Sequence, residues 1–130
     1  MSWLLLSANV LTVLAFVAHT FVGDSELHVL MDGQANATRQ YRSTWTMARC
    51  GWHWISTDLL AASALLFCIN FYDFLPHEEA IVLVLGVFFV AYALIWFVTI
   101  LLSPRFKRRF FLLGQWALLL VIGGLLLLAN

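Results

Sequence analysis

Charge is scarce in this chain: 11% of its 130 residues are Asp, Glu, Lys or Arg, and the formal net charge is zero. That balance gives no electrostatic footprint for nucleic acid and no general attraction to acidic partners. Cysteine is scarce too. Cys50 and Cys68 fall on one predicted helix, about 27 Å apart at 1.5 Å per residue, too far for a disulfide within one chain. No CxxC pair or cysteine zinc pattern occurs. The first apolar segment has no basic residue ahead of it and no small-residue cleavage site behind it, so it is expected to stay as a helix rather than leave as a signal peptide. Internal repeats are missing, as are a Ser-His-Asp spacing, a phosphate loop, an HExxH helix and a nucleotide fingerprint. The recognised enzyme signatures are therefore absent.

What fills the chain instead is apolar. Hydrophobic residues make up 63% of it, and the mean hydropathy of +0.92 lies outside the range of soluble domains. A helix needs about 20 mostly apolar residues to cross roughly 30 Å of hydrocarbon. Four runs reach that length, at roughly 3–22, 52–71, 80–102 and 110–129. They predict an all-α fold, an integral membrane four-helix up-and-down bundle, with residues 1–130 as a single transmembrane domain.

All seven basic residues lie in two connections: Arg39, Arg42 and Arg49 between the first and second runs, and Arg105, Lys107, Arg108 and Arg109 between the third and fourth. The connection YDFLPHEEA has none and carries Asp73, Glu78 and Glu79. By the positive-inside rule both basic connections are cytoplasmic and both termini lie on the other side, which in a bacterium places the protein in the inner membrane. The sequon Asn36-Ala37-Thr38 then faces the cytoplasm and is discounted.

The first cytoplasmic connection, 23–51, is much longer than the others. It opens with Asp24, Glu26, His28 and Asp32 and ends with the three arginines. DSELHVLM is expected as a short interfacial helix capped by Asp24 or Ser25, and YRSTWTM as a headgroup-level anchor.

Polar residues inside the runs form two stripes. Asn9, Thr12, His19, Thr20 and Gly23 share an arc of about 100° on the first, and Arg49, His53, Ser56, Thr57, Ser63 and Asn70 one of about 140° on the second. Unsatisfied polar groups are costly in lipid, so the stripes are expected to face each other. His19 and His53 each lie about one turn from the cytoplasmic end of their helix, and Thr99 and Gln115 fall at the same level. Together they outline a polar pocket in the cytoplasmic half. Asp58 lies deeper, about 9 Å inside Trp52 by helical rise. A carboxylate at mid-bilayer costs about 2.5 to 3.5 kcal/mol, less towards an interface, so a partner is expected. It stands about 140° around the helix from His53, which argues against one metal bound by both.

Each feature has a functional and a plain reading. His19 and His53 suit a ligand pair for haem or a divalent metal, or a proton-transfer pair; the plain reading is two histidines hydrogen-bonded across a helix interface. Arg39, Arg42 and Arg49 either hold an anionic ligand or lipid phosphate or only set topology. His28 with Asp24 and Glu26 offers metal donors or a solvated loop. Trp45, Trp52 and Trp54 fit an aromatic belt, with a stacking platform for a ring-shaped cofactor as the alternative. Gly86, Gly114, Gly123 and Gly124 permit close helix approach, though no GxxxG pair marks a dimer face.

The pattern His19-x3-Gly23, then an arginine-bearing connection, then Trp52-His53 resembles a group of small four-span bacterial membrane proteins without an assigned activity. The resemblance implies the same fold and singles out His19, Gly23 and His53. The expectation is a protein that binds a small molecule, cofactor or ion through His19, Thr20, Arg39, Arg42, Arg49, His53, Thr57, Asp58 and Gln115, with lipid around it and room for a homo-oligomer. The other reading is a non-catalytic accessory subunit or assembly factor of a larger membrane complex, packing through the small-residue faces at Gly86 and Gly123.

Overall fold

Uninterrupted apolar helix formers run between proline-marked turns, and the chain folds accordingly. Pro76 precedes one helix and Pro104 follows its end, both at places where a helix cannot continue. The computed structural model describes residues 2–31, 37–72, 76–104 and 107–130, apart from the side chains of Leu30 and Met31. Asp32, Asn36, Asp73 and Arg105 lie outside the described residues.

Helix α1 spans Trp3–Val17, continues as a π-helical turn over Ala18–Gly23, and resumes as α2 over Asp24–Met31. The backbone stays right-handed through both junctions, at Ala18 and Asp24. Helix α3 covers Arg39–Phe71, α4 Glu78–Leu102, α5 the single turn Arg109–Leu112, and α6 Gln115–Ala129. The described residues are helix and turn, with no strand. Three stretches, Trp3–Val29, Arg39–Phe71 and Glu78–Leu102, are long and apolar enough to cross a membrane. This is a membrane protein by the length and composition of its helices.

Two predicted elements differ. Much of the connection 23–51 is helix. Thr38 caps α3 by accepting from the Tyr41 N–H at 3.2 Å, and α3 runs for 33 residues, about 50 Å. Asp24–Met31 extends the first helix instead of lying apart from it. The two extensions are tied together by Arg49 on Asp24 and by the Trp45 indole N–H donating to the Leu27 carbonyl at 3.0 Å. Hydropathy marks where the bilayer ends, not where the helix does. The second difference is a break in the fourth run. Leu113 (φ −108°, ψ 43°) and Gly114 (φ −71°, ψ 2°) leave helical geometry, so α6 has only 15 residues, about 22 Å.

Packing is uneven. α1 lies against both α3 and α6, and α4 against α6, while α3 and α4 barely touch. One half of the molecule holds a tight core of Leu66, Phe89, Ile122 and Leu126, all fully buried. There α4 and α6 approach through glycines. A Cβ on Gly123 would lie 2.8 Å from Val90 Cγ2 and 3.0 Å from the Gly86 carbonyl, and one on Gly86 would lie 2.9 Å from Leu127. These small-residue faces are used inside the chain. Gly124 is the open one, with nothing within 4 Å of its Cβ position.

The two polar stripes do meet. Asn9 and Thr12 on α1 and Ser56, Ser63 and Asn70 on α3 are buried. Most of their polar groups turn back to their own helix: Thr12 donates to Ala8, Ser63 to Leu60 and Asn70 to Leu66. Asn9 crosses. In the orientation that satisfies both ends of its amide, it donates to the Ser63 carbonyl at 3.1 Å and accepts from the Phe67 N–H at 3.2 Å.

Candidate functional site

The sparse contact between α3 and α4 leaves a cleft of about 580 Å³ between them, backed by α1 and α6. That volume lies within the range of small-molecule sites, about 300 to 1,000 Å³. Its walls are mostly apolar, among them Ile55, Leu59, Ile95 and Leu118. Three aromatic residues, Trp52, Tyr92 and Trp96, face it, and polar atoms come from His19, Glu26, Thr99, Ser103 and Gln115.

His19 enters this wall from the π-helical turn, a winding that often accompanies functional positions. Its ring stacks on Trp52, with centroids 4.0 Å apart and planes 8° from parallel. Two hydrogen bonds lock the pair. The Trp52 indole N–H donates to the His19 carbonyl at 2.9 Å, and His19 Nε2 donates to the Trp52 carbonyl at 3.1 Å. A carbonyl only accepts, so the proton of the neutral ring sits on Nε2 and Nδ1 is left as an acceptor. Gly23 completes the device: a Cβ there would collide with Trp52 Cζ2 and lie 2.9 Å from Cε2. His19, Gly23 and Trp52, separate marks in the sequence, therefore form one unit.

A second cluster lies on the helical extensions. Asp24 accepts from Arg49 Nε at 2.8 Å and from Arg49 Nη2 at 2.9 Å, a two-pronged pair. His53 Nε2 stands 3.3 Å from Asp24 Oδ1 and His28 Nε2 3.5 Å from Asp24 Oδ2. The Arg49 guanidinium also lies over Trp45, 5.5 Å from the ring centre.

The predicted site residues are thus divided. His19 and Gln115 line the cleft, together with Thr99. Arg49 and His53 belong to the Asp24 cluster. Arg39 and Arg42 are exposed in the first turns of α3. Thr57 is exposed and donates to the His53 carbonyl at 3.0 Å, and the Thr20 hydroxyl is buried with no hydrogen-bond partner among the described residues. Asp58 accepts from the Tyr92 hydroxyl across the α3–α4 gap, at 2.8 Å.

His19 and His53 are turned apart at their Nε2 atoms. Each Nε2 is turned to a different partner, the Trp52 carbonyl and the Asp24 carboxylate. Among the described residues no group of three His, Cys, Asp or Glu side chains converges on a metal position.

Tyr92 escapes sequence reasoning, since its partner Asp58 lies on another helix. Asp24 and Trp52 are marked in the sequence, but their partners, Arg49 for the one and His19 with Gly23 for the other, are legible only once the helices are placed.

No family model, curated protein or solved structure matches this chain.

Proposed function

We propose that this chain is a four-span protein of a bacterial inner membrane, with both termini on the non-cytoplasmic side, and that its cleft binds an amphiphilic small molecule. The apolar body of the ligand lies against Ile55, Leu59 and Leu118, and its polar group reaches the end of the cleft lined by His19, Ser103 and Gln115. The observation that carries this reading is the cleft itself, at the level where the sequence places polar atoms from all four runs. The fourth span combines α5, the break at Leu113 and Gly114, and α6. The locked His19–Trp52 pair acts as a rigid wall of the site, which is what a binding surface needs if its geometry is to be held ready.

The competing reading, an accessory subunit, loses its two named contact points because Gly86 and Gly123 serve the contact between α4 and α6. Gly124 remains for a partner helix.

The test is mass spectrometry of molecules extracted from protein purified in mild detergent, comparing wild type with Ala18→Trp. Ala18 lines the cleft and is exposed, so an indole there fills space without displacing core. The expected result is an amphiphile near one per chain in the wild type and absent from a monodisperse Ala18→Trp variant. The same extract from both, indistinguishable from that of empty micelles, would remove the binding reading.

A further inference from the structure

We infer that the cleft selects hydrophobic cations, with Asp58 as the carboxylate that holds the charge at the gap between α3 and α4. The inference rests on the binding reading above and deepens it by naming the ligand class.

The charge pattern of the walls is one-sided. Among the described wall residues there is one acid, Glu26, and no lysine or arginine. Two of the described cations near the cleft, Arg49 and Arg109, have partners of their own. Arg49 is held by both oxygens of Asp24. Arg109 donates to the Ser103 carbonyl at 3.0 Å and lies over Phe110, 5.0 Å from the ring centre. The walls also contain the indoles of Trp52 and Trp96 and the phenol of Tyr92, aromatic groups of the kind whose π faces attract cations.

Asp58 supplies the second acid. It precedes the wall residue Leu59, its side chain is exposed, and the described residues give it one hydrogen-bond partner, the Tyr92 hydroxyl. Tyr92 is itself a wall residue, so the Asp58–Tyr92 bond places the carboxylate beside the cleft, across the gap where α3 and α4 otherwise hardly meet. A carboxylate on a helix surface at that depth calls for compensation, and one neutral hydroxyl supplies only part of it. A cation lying between α3 and α4 supplies the rest. Its apolar substituents then rest on the wall that Asp58 adjoins. Acids and aromatic residues around a mostly apolar cleft favour a bulky organic cation over a hydrated metal ion, which keeps its water and prefers several oxygen ligands.

Two probes of the same shape and opposite charge separate the possibilities: tetraphenylphosphonium and tetraphenylborate. Each is titrated into the purified full-length protein in detergent by calorimetry, with protein-free micelles subtracted. The wild type is expected to bind the phosphonium saturably and at least about tenfold more tightly than the borate. Asp58→Asn keeps an acceptor for the Tyr92 hydroxyl and is expected to weaken phosphonium binding by about tenfold, while Asp58→Glu keeps it. Unchanged phosphonium affinity in Asp58→Asn, with loss instead in Glu26→Gln, would overturn the role of Asp58. Equal binding of both ions would overturn charge selection while leaving the cleft as a binding site. Binding of neither ion would also overturn the inference, and the extracted amphiphile, present or lost in Ala18→Trp, decides the underlying reading separately.

Discussion

Gly23 carries a demand that no other residue type meets. The Trp52 indole occupies the space where a side chain would begin, and that indole is fixed by a stack on the His19 ring and a hydrogen bond to the His19 carbonyl. A rigid ring cannot step aside as a flexible chain end does, so Gly23→Ala has to break the stack or bend the π-helical turn. Its expected cost is about 1 to 3 kcal/mol, the range for overpacking a close contact. Gly51 is the internal control, since it lies within α3 and its Cβ position has nothing within 4 Å. Gly51→Ala is expected to be neutral or to gain about 0.5 to 1 kcal/mol from helix propensity. Thermal unfolding in detergent, followed by tryptophan fluorescence, checks both. Equal melting temperatures for the two variants would show that the His19–Trp52 lock does not depend on Gly23.

Between helices, polar side chains contribute less than their number implies. Five buried polar residues line the contact of α1 with α3, yet among them only Asn9 reaches across, inserting its amide between the Ser63 carbonyl and the Phe67 N–H. Asn9→Leu, close in size, would leave no polar atom to cross that contact. It is expected to destabilise the protein by about 1 to 3 kcal/mol. Ser63→Ala removes a hydroxyl bonded only within α3 and is expected to cost much less, with detergent unfolding as the measurement. If Asn9→Leu proved as mild as Ser63→Ala, the amide would not couple the two helices. The sequence displays the stripes because a period of 3.6 residues is a local property. Which stripe residues cross depends on the depth at which two backbones approach, and this is not local. The same limit hides the Asp24–Arg49 pair. Hydropathy falls at Gly23, and the segment reads as a loop, although cap chemistry at Thr38 and a cross-helix ion pair keep both helices going. The break at Leu113 and Gly114 is hidden for the opposite reason, because apolar composition runs straight through it.

At the scale of the whole molecule, neighbour order makes the cleft. Tight turns suggest that consecutive helices lie side by side, but α3 and α4 stand apart and their shared partners α1 and α6 form the back wall. Sequence alone places His19, Thr99 and Gln115 at one level and does not say which helices part to open a space there. The proposed orientation decides which compartment the His19 end of that space adjoins. It follows from seven basic residues confined to two connections on one side and none in YDFLPHEEA. Cys50 reports on it directly, being an exposed thiol near the Asp24 cluster, while Cys68 is only partly exposed. In a Cys68→Ala background, a membrane-impermeant maleimide added to intact inner-membrane-exposed cells is expected to leave Cys50 unlabelled, and permeabilisation to label it. A cysteine placed at Asn130 is expected to react before permeabilisation. The reverse pattern would invert the protein, turn the His19 end of the cleft to the outside, and make ligands that arrive from that compartment the ones to seek.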